Sequence, residues 1–322
     1  MKYPSKVDVP VLITFFARPD TLRKVFDSVK EARPSTILLW QDGPRKGRLD
    51  DVENIKKCRD IVENIDWECT VFKNYHDDNM GCDPSTFRAQ KWAFSNVDKC
   101  IVLEDDMVPS QSFYPYCKEL LDKYEFDERI NHICGVNPLG IVEHCPDDYF
   151  FAYSGTGAWA SWRRVAEQWD ENYTFLDKDY YLYNTSKRLP VLFKLMKEHA
   201  IKRRATGFEW WESIIGFNCV LNNRLVIIPK VNLVSNVGVV GGTHSSSVRL
   251  LNKKVRKLFD SQAYELKFPL KHPEYFTPDF KYMNELSKIN CLGHPWIARW
   301  RKLEYLAKCI IYGEIFKKLK RK

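Results

Sequence analysis

One short stretch constrains this chain more than any other. Cys100, Ile101, Val102 and Leu103 form an unbroken apolar run that stops at three consecutive acids, Glu104, Asp105 and Asp106. A run of that length and continuity predicts a central strand covered on both faces. In an open α/β sheet, the ends of such strands face the ligand crevice. Three carboxylates gathered there repel one another and raise each other's pKa unless a cation joins them. An oxygen-rich, thiol-free set suits Mg²⁺ or Mn²⁺, shared with phosphate oxygens. A solvated acidic turn is the alternative. The chain supplies its own comparison in Asp50-Asp51, Asp77-Asp78 and Asp147-Asp148, none of which closes an uninterrupted apolar run.

The segments before this strand alternate in character. Val9 to Phe16 reads as a strand, and Pro19-Asp-Thr-Leu opens a helix with Leu22, Val25, Phe26 and Val29 at helical spacing. Ile37 to Trp40 reads as a second strand, closed by the turn Gln41-Asp42-Gly43-Pro44. A charged helix from about Asp50 to Ile65, a strand from Thr70 to Tyr75, a turn at Asn79-Met-Gly-Cys and a helix from Ser85 to Phe94 follow. This βαβα order predicts a doubly wound, mostly parallel sheet. Its switch point should gather the ends of strands one, two and four around one crevice. Further on, Phe113 to Tyr124 reads as a helix and Ile133 to Val136 as a strand. Gly155-Thr-Gly-Ala-Trp-Ala reads as the lead into a helix ending near Trp169. Another helix runs from the Thr206 region to about Leu221, and Leu225 to Ile228 is a strand.

The chain has 322 residues, 44% hydrophobic and 29% charged, enough for a sizeable core. No apolar stretch approaches the roughly 20 residues that span a bilayer. The apolar segment near the start is expected to be a strand rather than a signal peptide. The ten cysteines include no CxxC pair, so structural zinc and a disulfide framework are not expected, and a reducing cytosol is. The net charge is +8, and residues 299–322 carry nine Lys/Arg against two Glu. The body is therefore nearly neutral, which argues against a nucleic-acid surface.

The ordered set of an early strand followed by Arg18-Pro19-Asp20, a second strand ending in Asp42, the Glu104-Asp105-Asp106 turn, a Gly-rich aromatic segment, Trp211-Glu212 and Gly241-Gly-Thr-His244 resembles a GT-A fold inverting glycosyltransferase. It is similar to the family 2-like bacterial transferases of capsule and lipopolysaccharide assembly, and more distantly to the N-acetylglucosaminyltransferase I group. The resemblance covers roughly residues 8–245. It implies a GT-A domain over 1–245, with a nucleotide-binding half of about 1–110 and an acceptor half of about 111–245. Residues 246–322 form a C-terminal helical extension outside it.

The resemblance also implies a nucleotide-sugar donor, with UDP suggested by Asp42, and a glycan or lipid-linked glycan acceptor. It places Arg18 near the nucleotide phosphates, with Phe16 beside it in the donor site. Asp42 either accepts the base imide N–H or simply forms the turn before Gly43. Glu104 matches the contact to the donor sugar, Asp105 the ribose contact, and Asp106 the ligand of Mn²⁺ or Mg²⁺. His244 matches a closing loop that in some relatives gives a second metal ligand. The acid directly after a Trp selects Glu212 as the base that takes the acceptor proton. Glu209, three residues earlier on the same helix face, is the alternative. Where relatives carry Trp-Gly-Trp-Ala-Thr-Trp-Arg, this chain has Ala158 in place of a Trp. Trp159 and Trp211 are candidates for stacking on acceptor or donor sugars, while Trp162 reads as core.

From Pro295 onward, Trp296, Trp300, Leu303, Leu306 and Ile310 recur near helical spacing among Lys and Arg. A basic amphipathic helix with Trp predicts peripheral attachment to an anionic membrane surface. The expected location is the cytoplasm, on the inner face of the plasma membrane. Two rivals stand beside the transferase reading. A sugar nucleotidyltransferase would want a Gly-rich loop after strand one, where Phe15-Phe-Ala-Arg-Pro has no Gly. A non-catalytic glycan-binding protein would have no need of the acids.

Overall fold

The computed structural model describes residues 2–155, 157–208, 210–238, 250–256, 259 and 261–312. Its centre is a mixed eight-stranded sheet. The first half alternates as expected: β1 (Val11–Phe15), α1 (Pro19–Ala32), β2 (Thr36–Gln41), α2 (Leu49–Val62), β3 (Thr70–Tyr75), α3 (Cys82–Asn96) and β4 (Lys99–Glu104). These strands lie in the order β3-β2-β1-β4, all parallel. The chain thus winds outward from β1 through β2 to β3, then returns to the other side of β1 as β4. The switch point, where ligands bind in open α/β sheets, lies at that reversal, at the carboxyl ends of β1 and β4.

Every residue of β1 is buried, because the sheet is covered on both faces. Val11, Ile13 and Phe15 face one way, with Leu22, Val25, Phe26 and Val29 of α1 packed in the same cluster. Leu12 faces the other way, with Phe87, Ala93 and Phe94 of α3. That is the period-two alternation of a strand with two apolar faces. Pro19 at the first turn of α1 suits a helix start, where no backbone donor is needed.

The second half completes the sheet with β6 (Ile130–Cys134), β7 (Tyr149–Ala152), β8 (Trp159–Trp162) and β9 (Leu225–Pro229), in the order β8-β6-β9-β7 beyond β4. The helix expected to follow Gly155 is corrected here. Residues 159–162 are a strand, antiparallel to both β4 and β6. Hydrogen-bonding ladders on both edges satisfy its backbone. Only a single turn, α5 (Arg163–Ala166), follows it. The small ladder of β5 (Met107–Pro109) with β10 (Val234–Asn236) sits beside the acidic turn.

The helices are α4 (Phe113–Lys123), then α6 (Asp179–Arg188) and α7 (Pro190–Thr206) as a hairpin, then α8 (Glu212–Leu221). Beyond the short α9 (Lys253–Arg256) come α10 (Phe280–Asn290) and α11 (Pro295–Ile311). Residues 261–282 run back along the sheet. Phe151 of β7 bridges to Pro278, and the Tyr282 ring of α10 packs on Phe150 with centroids 4.7 Å apart.

Candidate active site

The crevice is built on the residues that follow β1, β2 and β4. Gln41, fully buried at the end of β2, donates to the Phe16 carbonyl at 2.9 Å. The Phe16 N–H donates to Asp105 Oδ2 at 3.3 Å. The backbone after β1 is therefore pinned between β2 and the acidic turn. Arg18, the residue before α1, reaches the same turn. Its Nε donates to Asp105 Oδ2 at 3.3 Å and its Nη1 to Asp106 Oδ2 at 2.9 Å, and Nη2 also pairs with Asp105. One guanidinium fork thus holds both aspartates, the geometry for which Arg is suited.

The acids remain crowded despite Arg18. Burial pushes the Glu104 carboxyl up to about 8, with Asp106, Glu212 and Asp105 pushing in the same direction and Arg18 opposing them. Burial also raises Asp105, against the pull of Arg18. Glu212 is therefore in electrostatic reach of the β4 end, although it lies far away in sequence. It opens α8, and its position is set by the corner before it. The Trp211 N–H donates to Asp83 Oδ2 at 2.7 Å, and Asp83 pairs with Arg203 of α7. Sequence reading had no signal for Asp83 or Arg203 beyond an acid at a helix start, because their task depends on contacts between distant segments.

Asp42 is buried, and its carboxylate is fully engaged. Oδ1 accepts from the N–H groups of Gly43 and Met80 at 3.0 and 2.9 Å. Oδ2 accepts from Asn79 Nδ2 and the Gly81 N–H at 3.0 and 3.1 Å. A carboxylate has about four acceptor positions, so a base imide would have to displace one of these donors. Asp42 here organises the turn, one of the two roles left open by the sequence. Gly43 is required at this point, since a Cβ would stand 2.5 Å from the Asp78 backbone.

Two aromatic expectations are corrected. Trp159 is 3% exposed and packs among Phe94, Trp169 and His132. Its strand lies between β4 and β6, so the indole belongs to the core and presents no face to a sugar. Trp211 is likewise buried in the cluster beneath α8. Trp162 is core as expected, with Nε1 donating to the Leu121 carbonyl at 3.0 Å.

The late loop enters at the acids. The Val237 N–H donates to the Asp106 carbonyl at 2.8 Å. A Cβ on Gly238 would lie 2.1 Å from Asp106 Oδ2, so a side chain there would displace that carboxylate. His244 and Glu209 lie outside the described residues.

Among the described residues, no group of three or more His, Cys, Asp or Glu side chains forms a ready cage for an ion. Mg²⁺ and Mn²⁺ commonly bind through one or two carboxylates and otherwise through phosphate oxygens and water. The crowded acids at the β4 end, paired with Arg18 among the described residues, fit that arrangement. Asp106 is the residue that would hold the ion.

No family model matches the chain, and no curated protein matches it in sequence. Among solved structures, it is similar to 4-diphosphocytidyl-2C-methyl-D-erythritol synthase from Anaerococcus prevotii DSM 20548. The TM-score is 0.35 and the identity 13%, over 68% of this chain and 87% of that one. It is also similar to UDP-glucose pyrophosphorylase complexed with UDP-glucose, with a TM-score of 0.24 and 9% identity, over 50% of this chain and 71% of that one. At these scores the likeness carries no weight for activity, which rests on the site itself.

Proposed function

We propose that the protein is a metal-dependent, inverting glycosyltransferase. It moves a sugar from a nucleotide-sugar donor to a glycan or lipid-linked glycan in bacterial surface-polysaccharide assembly. The observation that carries this reading is the acidic end of β4, Asp105 and Asp106 held by the fork of Arg18 beside the buried Glu104, with Glu212 in electrostatic reach of Glu104. Arg18 is placed to exchange one carboxylate for a diphosphate oxygen while keeping its fork geometry. Phe16, Glu104 and Asp105 line the donor side, and Asp106 would hold the cation. When bound, Mn²⁺ or Mg²⁺ stabilises charge on the departing diphosphate. Glu212 takes the proton of the acceptor hydroxyl as that oxygen attacks the anomeric carbon from the face opposite the leaving group. Its fixed position at the start of α8 supplies the alignment.

The test is Glu212→Gln, which keeps shape and hydrogen bonding but cannot accept a proton. Transfer from a nucleotide sugar should fall by about 10²–10⁴-fold, with donor affinity kept. Full activity in this variant would remove Glu212 from the mechanism. Pyrophosphate release from a nucleoside triphosphate and a sugar phosphate would favour the nucleotidyltransferase reading instead.

The exposed face of α11 supports attachment to a membrane surface as part of this reading. Trp296 and Trp300 are 73% and 74% exposed, and Leu303, Ile310 and Ile311 are exposed as well. The opposite side is docked, with Cys309 buried and Lys308 Nζ donating to the Leu251 carbonyl at 2.8 Å. Among the described residues, no helix is long and apolar enough to cross a membrane. An amphipathic helix lying in the interface, helped by the basic residues of 299–322, is the mode that fits.

A further inference from the structure

The corner between α7 and α8 holds an aromatic residue in an unusual state. Trp210 has φ of 68°, a left-handed conformation that bulky residues avoid. The surroundings impose it. The Trp210 carbonyl accepts from the Ser213 N–H at 2.9 Å and from Ser213 Oγ at 2.7 Å. Ser213 Oγ is itself 2.7 Å from the Tyr173 hydroxyl. The next N–H, from Trp211, is held by Asp83. The consequence is a reversal of direction between neighbours, with Trp211 entering the core and Trp210 turning outward. Backbone strain that the structure over-determines in this way is a mark of functional positions.

The Trp210 indole does not hang free. It lies parallel to the His199 imidazole of α7, with ring centroids 3.9 Å apart and planes 8° apart. One face of the indole is thereby backed, and the residue is still 38% exposed. Phe208, two residues earlier, is also exposed, and its ring edge lies 3.9 Å from where a Cβ of Gly81 would stand, beside the Asp42 turn. Glu212 follows two residues later. An open aromatic surface backed by His199 thus stands two residues before the proposed base, with Phe208 against the Asp42 turn.

We propose that Trp210, backed by His199, is the platform on which a sugar ring of the acceptor stacks. The inference rests on the glycosyl-transfer reading and adds to it the acceptor's chemical class: a pyranose with one face of C–H groups available for packing. Such a face matches the apolar surface of an indole, while hydroxyls at the ring's rim stay in water or reach polar groups such as Glu212. A ring already fixed in place loses little freedom on binding, so its contact area converts to affinity.

The experiment measures binding of two probe sets to the full chain by saturation-transfer NMR and thermal shift. One set is unbranched oligosaccharides and methyl pyranosides of glucose, galactose and N-acetylglucosamine; the other is UDP-sugars with Mn²⁺. Wild type should bind members of both sets. Trp210→Ala should weaken the saccharides by about tenfold, the upper range for an aromatic packing contact. Trp210→Phe should keep most of the affinity, and His199→Ala should fall between. If Trp210→Ala does not fold, His199→Ala carries the test, and it must lower saccharide affinity without moving the melting temperature while Trp210→Phe keeps most of it. Unchanged saccharide binding in the variants overturns the proposal. So does loss of UDP-sugar binding alone, which would make Trp210 a base-stacking residue. Wild type that binds UDP-sugars but no saccharide defeats the platform and leaves the transferase reading standing. Binding of neither set defeats both.

Discussion

Arg18 shows how much of the site's chemistry rests on single residues. Asp105 and Asp106 each take an Arg18 nitrogen, so the crevice carries its own cation before any ligand arrives. That charge does not relieve Glu104, whose raised carboxyl reflects burial and three acid neighbours. Within β6, His132 makes a separate prediction. Its Nε2 lies 2.8 Å from the Gly155 carbonyl and so carries the proton, while Nδ1 lies 3.0 Å from the Asn131 amide and accepts from it. Burial lowers its pKa to about 4 from the usual 6.5. The unfolded chain therefore binds more protons than the folded one between these values, and stability falls as pH drops from about 6.5 to about 4. The full span corresponds to about 3 kcal/mol. Urea unfolding from pH 7 to pH 4.5 should show this loss in wild type and a shallower one in His132→Gln; parallel curves would contradict it. None of this was legible from His132 alone, whereas Asp105 and Asp106 stood out because an apolar run ends on them.

At the scale of elements, the parallel half of the sheet could be read because each strand is short, apolar and followed by a turn or helix signal. The switch point followed from that order. β8 could not be read in the same way. Trp159 and Trp162 stand three apart, which mimics helical spacing, and a strand buried on both faces shows no alternation to correct the impression. The α6–α7 hairpin is not legible in the sequence, because α6 buries none of its residues and leaves Tyr180, Tyr181 and Tyr183 exposed, so it carries no apolar stripe. Its consequence is large, because α7 supplies His199 and Arg203, which hold the corner that aims Glu212. The corrected place of Trp159 has its own test. Trp159→Ala should cost about 3–5 kcal/mol in chemical denaturation, as expected for emptying a buried aromatic site. Trp159→Phe should lose less and bind UDP-sugars with unchanged affinity. A variant of wild-type stability with weakened sugar binding would return Trp159 to the site.

Across the whole chain, net positive charge is concentrated in the C-terminal segment. The nearly neutral body holds the acids, and the basic segment 299–322 begins within α11, whose outer face is apolar. Because α11 is docked through Cys309 and Lys308, deleting it would disturb packing as well as attachment; paired surface substitutions separate the two. Trp296→Ser with Trp300→Ser should leave the melting temperature unchanged and reduce sedimentation with anionic liposomes. Raising salt should weaken wild-type binding too, since charge attraction is screened beyond a Debye length of about 8 Å at physiological ionic strength. Equal sedimentation of variant and wild type would place the contact elsewhere. Every step proposed for the crevice requires the β4-end acids to bind a donor diphosphate through a cation. The direct measurement is calorimetric titration of UDP-sugars into wild type and Asp106→Ala, each with and without Mn²⁺. The account predicts binding by wild type that strengthens with Mn²⁺ and a variant in which that dependence is gone; equal, metal-independent affinity in the two proteins would contradict it.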